Sequence, residues 1–177
     1  MKLLKTIIIN KPVKQVWKVA AEDFAHAGQW MTGVFHSSEF GANNIEQAPC
    51  SGRVCVLENK ENGLKAEENI LKFDSQNHTL IFEVIPVKKG GTGLPLTKNT
   101  VTLKLEQVSE TQTKVFWYCD FEVTKLGKIL SPILKIGVGF AFKGILKDLK
   151  VFVETGEPSK RKQKFNEKFV NQPLINN

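Results

Sequence analysis

The chain has little of what builds special scaffolds. Its 177 residues include three cysteines, three histidines, two methionines and one tyrosine. Cys50, Cys55 and Cys119 form no CxxC pair, and no histidine stands at zinc-finger spacing from them. A disulfide framework and a zinc module are therefore excluded, and free buried thiols in a reducing compartment are expected. Glycine and proline, at 13 and 7, are too few and too scattered for a collagen-like or low-complexity chain. There is also no long apolar run. The most apolar stretch, Ile129 to Leu146, is broken by Lys135 and Lys143 and carries three glycines, which argues against a membrane span. The N-terminal apolar run ends at Asn10-Lys11-Pro12 with no small-residue cleavage site, so it reads as a strand and not as a signal peptide. A cytoplasmic location is expected.

What is present is an ordinary core-forming composition, 41% hydrophobic and 24% charged. The charge is uneven. Residues 1–124 hold 14 basic and 14 acidic side chains, whereas residues 125–177 hold 11 and 4, so the whole net charge of +7 lies in the last segment. One domain over 1–156 is expected, followed by a basic C-terminal tail over 157–177.

Leu3 to Ile9 reads as a strand. Pro12, Val13, Val16, Trp17 and Ala20 recur at helical spacing, which predicts a helix over 12–23 and a short second one through Met31. From Gly33 the period becomes two, with strands expected at about 33–41, 53–59, 64–73, 79–86, 100–107 and 113–123. Asn62-Gly63 and Asp74-Ser75-Gln76-Asn77 supply turns. Within the last strand Val115, Trp117, Cys119, Phe121 and Val123 form the apolar, inward set. A long helix follows, with Ser131 as N-cap and Pro132 at the first helical position, running to about Glu154 before Gly156. Its apolar stripe is read as Leu134, Val138, Ala141, Ile145, Leu149 and Phe152. Gly137, Gly139 and Gly144 mark either close backbone approach or room for a ligand. The expected architecture is α+β: a curved antiparallel sheet of six to seven strands wrapped around a long C-terminal helix, with two short helices after the first strand.

This order, with several local motifs, resembles the START-related helix-grip (SRPBCC) superfamily, most closely its polyketide cyclase/dehydrase and lipid-transport members. The likeness spans about 1–155. It is carried by Ile9-Asn10-Lys11-Pro12-Val13-Lys14-Gln15-Val16-Trp17, by Trp30-Met31-Thr32-Gly33-Val34 with Ser38-Glu39, and by Gly52-Arg53-Val54-Cys55. Asn62-Gly63 with Glu68, Phe73-Asp74 and Lys114-Val115-Phe116-Trp117 complete it. The resemblance implies binding of a hydrophobic or amphipathic molecule between sheet and helix. Where many members carry arginine in a G-x-V-R pattern this chain has Cys55, which implies a missing cavity cation. Arg53 is expected on the opposite face.

The ligand expected is a lipid, isoprenoid or polyketide-like ring system. Val115, Trp117, Cys119 and Phe121 would form its walls, together with Phe82, Val84 and Cys55. The helix would add Leu134, Val138, Ala141 and Ile145, and Trp30 and Val34 would close one end. A cyclase or dehydratase is the enzymatic alternative, with His36 or Glu68 as its acid or base; the Glu67-Glu68 pair leaves open which of the two points inward. A chaperone-activating interaction module is a further alternative. Asp148 is expected on the helix surface or at the cavity mouth. Gly90-Gly91-Thr92-Gly93-Leu94-Pro95 reads as a hairpin loop or a cover over the cavity, with Leu94 and Leu96 touching ligand. No cofactor, metal site or specific nucleic-acid partner is expected. The basic end, Lys160-Arg161-Lys162 and Lys164, is read either as a solubilising tail or as a contact for an anionic membrane surface.

Overall fold

A computed structural model describes residues 1–41 and 45–169. The end of the expected tail, 170–177, lies outside the described residues. The chain opens with strand β1 (Lys2–Ile9), followed by helix α1 (Val13–Trp17). The helix continues through a wider-turn segment, Lys18–Glu22, into a 3-10 segment, Phe24–Gln29. Strands β2 (His36–Phe40), β3 (Gly52–Val56), β4 (Lys65–Asp74), β5 (Thr79–Val87), β6 (Leu96–Ser109) and β7 (Gln112–Val123) follow. Helices α2 (Lys125–Ile129), α3 (Ser131–Thr155) and α4 (Lys160–Phe169) end the described chain.

Every neighbouring pair of strands is antiparallel, in the order β1-β7-β6-β5-β4-β3-β2. The first strand is thus hydrogen-bonded to the last, and each other strand pairs with its chain neighbour. Strict alternation selects one face. On β7 Val115, Trp117, Cys119 and Phe121 are buried, while Tyr118, Asp120 and Glu122 are exposed. Leu80 and Phe82 on β5 and Val101, Leu103 and Leu105 on β6 continue that buried face. Helix α3 lies over it, about 37 Å long at 1.5 Å per residue, and stops at Gly156, whose φ of 78° fits the left-handed C-terminal cap. This is the helix-grip fold.

One local expectation is corrected. Ser131 is not the cap of α3 but its first residue: Leu130 precedes it, and Leu134 N–H donates to the Leu130 carbonyl at 3.0 Å. A short helix runs directly into α3, so the chain needs no side-chain cap there. The capping side chain lies earlier, where Thr124 Oγ1 accepts from Gly127 N–H at 3.1 Å. In the described part of the expected tail the chain forms α4, whose Lys162 donates to the Val34 carbonyl.

The glycine-rich connection is shorter than expected, since β6 begins at Leu96 and not near residue 100. Its end is held tightly: a Cβ on Gly127 would stand 2.1 Å from the Pro95 carbonyl oxygen, so α2 packs on this connection through a glycine. Leu94 and Leu96 are both half-buried.

Candidate functional site

The inner face is polar in one cross-strand row and apolar in the next. Register places Arg53, Glu68, Val84, Asn99 and Phe121 side by side across β3, β4, β5, β6 and β7. The adjacent inward row is Ile70, Phe82, Val101, Cys119 and Leu3, and beyond it come Leu80, Leu103 and Trp117.

Arg53 is 3% exposed and points inward, which corrects the expectation that it faces away from Cys55. The reason is the pleat: residues two apart on a strand share a face, and both side chains are buried. Its Nε donates to Glu68 Oε2 at 2.8 Å, a second guanidinium nitrogen stands 2.6 Å from the same oxygen, and a third donates to the Phe24 carbonyl. The guanidinium also stacks 4.0 Å from the Phe24 ring centre. Burial, the largest single influence, works against its charge, but the Glu68 carboxylate together with the Cys55 and Cys50 sulfurs outweighs it and holds the guanidinium above its ordinary range. Burial, then the nearby Glu68 charge, pushes the Cys55 thiol up to about 12. The interior therefore does hold a cation, neutralised by its own carboxylate. Gly52 makes the approach possible, since a Cβ there would stand 2.2 Å from the Glu68 carbonyl oxygen.

Of the two acid-base candidates, Glu68 is inward but committed to Arg53. His36 is exposed on the edge strand β2 and does not reach the interior. Asp148 is not at the helix surface; it is 1% exposed. It accepts from Ser159 Oγ at 2.5 Å, from Arg161 at 2.6 Å and from Thr32 N–H at 3.1 Å, so it binds α4 and the Trp30–Val34 segment to α3. Lys162 reinforces this joint by donating to the Val34 carbonyl at 2.6 Å; burial lowers its pKa, with Asp148 acting in the opposite direction. Two of the basic residues expected to meet a membrane are thus turned inward or paired. Among the described residues no three His, Cys, Asp or Glu side chains converge as a metal ion would require.

The remaining wall residues fall into two sets. Trp30, Val34, Cys55, Phe82, Val115, Trp117, Cys119 and Phe121 are all buried, whereas Val84, Leu134, Val138 and Ile145 are half-buried. Ala141 is exposed, a correction to the helix stripe, and Phe142 takes the inward place. Its ring centre lies 6.2 Å from that of Trp117 and 5.9 Å from that of Phe121. Burial also pushes the Cys119 thiol up to about 12.

Two polar atoms on this face were missed by sequence reading. Asn99 Oδ1 is buried with no hydrogen-bond partner among the described residues, and the buried Trp117 Nε1 has only the Cys119 sulfur beside it. In register they lie on either side of the Cys119–Val101 pair, one an acceptor and the other a donor. The available signal was an asparagine in the inward parity of β6, where Val101, Leu103 and Leu105 are apolar.

Solved structures share this architecture. A START superfamily protein from Mycobacterium smegmatis superposes with a TM-score of 0.68 at 15% identity, covering 86% of this chain and 97% of its own. A protein from Thermus thermophilus gives 0.65 at 16%, covering 86% and 97%. One from Thermobifida fusca gives 0.61 at 19%, covering 86% and 92%. No curated protein sequence matches the chain. The helix-grip sheet and helix agree with the family match over residues 2–154, and the chain belongs to the polyketide cyclase/dehydrase and lipid transport family.

Proposed function

We propose that the chain binds one small apolar or amphipathic molecule between the sheet and α3, and that it does so without chemistry. The observation that carries this reading is the buried, unpartnered amide oxygen of Asn99, set in an apolar face. Leaving such a group unpaired costs about 1–3 kcal/mol, and a ligand hydroxyl or amine on Asn99 would offset it. Half-buried apolar side chains on both sides, Val84 from the sheet and Val138 and Phe142 from the helix, offer contact for the body of such a molecule. Because Arg53 and Glu68 cancel each other, the buried end of the ligand is uncharged. The same pairing argues against a cyclase that uses Glu68 as a free base, and exposure argues against His36.

The test is native mass spectrometry of the protein after incubation with a lipid and metabolite extract. A discrete added mass at one-to-one stoichiometry is expected. Val138→Trp should abolish it while leaving the far-ultraviolet circular dichroism unchanged, and Asn99→Leu should weaken retention roughly fivefold to tenfold through the loss of one hydrogen bond. A bare protein across the extract, or a Val138→Trp variant with unchanged stoichiometry, overturns the assignment.

A further inference from the structure

Helices α2 and α3 turn a continuous apolar ridge to solvent. Leu126, Ile129, Ile133, Ile136 and Phe140 follow one another at spacings of three and four, which keeps them on one side of the helical path. They are between 61% and 77% exposed, in a protein whose other large apolar side chains on the inner face are buried or half-buried. From Ile129 to Phe140 the ridge runs roughly 16 Å. A contiguous patch of this kind marks an interaction surface, whereas isolated exposed apolar residues do not.

Charge identifies what fits it. From Val123 to Lys147 there are five lysines and no acidic residue. Lys125, Lys128, Lys135, Lys143 and Lys147 are all exposed and form no ion pair with the described residues. Beside the ridge, between β1 and α3, lies a crevice of about 400 Å³ whose lining includes Lys5, Lys135 and Lys143, with Gly139 between the helix and the strand. Ile136 and Phe140 form part of the same lining, so cationic and apolar groups share one rim. A second cleft continues along β1 past Lys5, Lys143 and Lys147. A Cβ on Gly139 would stand at ordinary contact distance, 3.5 Å, from the Lys5 ammonium, so Lys5 lies directly against α3 here.

We propose that this face docks on an anionic lipid surface. Ile129, Ile133, Ile136 and Phe140 enter the boundary between headgroups and acyl chains, and Lys5, Lys135 and Lys143 receive a phosphate headgroup in the crevice. No described helix is long and apolar enough to cross a membrane, so the contact lies in the plane of the interface. The surface is distinct from the basic C-terminal end, where Arg161 and Lys162 are held by Asp148 and Val34. The proposal does not depend on what occupies the interior. Its failure leaves the native mass spectrometry result untouched, and the converse also holds.

The test is co-sedimentation of the full chain with vesicles of three parts phosphatidylcholine to one part phosphatidylglycerol, and with pure phosphatidylcholine. Binding is expected to the anionic vesicles, falling with added salt, and to be far weaker on the neutral ones. Lys135→Gln with Lys143→Gln should lower the partition coefficient on the order of thirtyfold, as two near-surface charges are lost. Ile133→Ser with Phe140→Ser should abolish binding with no change in thermal unfolding, because both side chains are already in water. Phe140→Trp should be quenched by lipids brominated on the acyl chains, a signal that docking through the C-terminal end would not give. Full binding by the Ile133→Ser/Phe140→Ser variant, or an unquenched Phe140→Trp, overturns the proposal. So does a ridge-dependent dimer in sedimentation equilibrium that binds no vesicles.

Discussion

Arg53 and Glu68 set the electrical character of the interior, and their worth depends on the comparison made. Against a pair of well-packed apolar residues a buried ion pair gains little; against the loss of one partner it is worth a great deal. Glu58 illustrates the opposite, surface regime. Its carboxylate accepts from Leu64 N–H at 3.0 Å and meets Lys88 at 3.1 Å and Lys60 at 3.2 Å, closing the turn that contains Asn62-Gly63. The Leu64 bond first, then the Lys88 bond, hold its pKa down at about 2 against an ordinary 4.5. A carboxyl group depressed on folding contributes stability above its unfolded pKa and loses it as pH falls through the folded one. Between pH 4.5 and 2 the wild-type chain should therefore lose stability more steeply than Glu58→Gln, read from denaturant unfolding at stepped pH. Identical slopes would show that Glu58 is not held in this turn. The turn itself was legible, because Asn62 takes a φ of 53° that asparagine tolerates. The inward pointing of Arg53 was misread, although the parity it shares with Cys55 follows from the pleat alone.

At the scale of elements, Gly144 shows a helix giving up local preference for a tertiary contact. A glycine inside a helix costs about 1 kcal/mol relative to alanine. A Cβ at this position would stand 1.9 Å from the Arg161 guanidinium, which crosses α3 there to reach Asp148. The space that sequence reading divided between close approach and a ligand is thus filled, at Gly144, by the chain's own arginine. Gly144→Ala should therefore gain less than the roughly 1 kcal/mol that propensity alone would give, because the half-exposed Arg161 must swing aside from the Asp148 carboxylate. In an Arg161→Ala background the same change should stabilise by up to about 1 kcal/mol. Chemical denaturation of the four chains measures the coupling, and additive effects would remove the contact from the account. Strands were easy to read because alternation declares them. The junction of α2 with α3 and the docking of α4 were not, because each rests on partners distant in sequence: Pro95 for Gly127, and Thr32 and Val34 for Asp148 and Lys162.

For the molecule as a whole, the order of elements carried the fold: one early strand, two short helices, a meander and a final long helix leave few ways to bury a single apolar face. The wall residues on β7 were legible from parity alone. Asn99 was not, since nothing in its neighbours tells whether an inward amide finds a protein partner. Nor was the role of the chain beyond residue 156, whose polarity hides the few groups that anchor it. Helix α4 acts as a strap: Ser159 and Arg161 bind Asp148 on α3, Lys162 binds the Val34 carbonyl, and the Phe165 ring lies 4.7 Å from that of Phe35. Cutting the chain after Glu157 would leave Asp148 with only the Thr32 N–H as protein partner. Removing one side of a fully buried pair costs about 3–5 kcal/mol, and the half-exposed Arg161 brings the expected loss nearer 2–3 kcal/mol. The shortened chain should keep its sheet signal in circular dichroism and unfold at a lower temperature. Asp148→Asn in that shortened chain should recover part of the loss, because a neutral amide is cheaper to bury and its oxygen still accepts from Thr32. The same substitution in the full chain should destabilise, since there it discards the charge that Arg161 answers. Equal unfolding temperatures for the full and shortened chains would show that α4 rests on the domain without holding it.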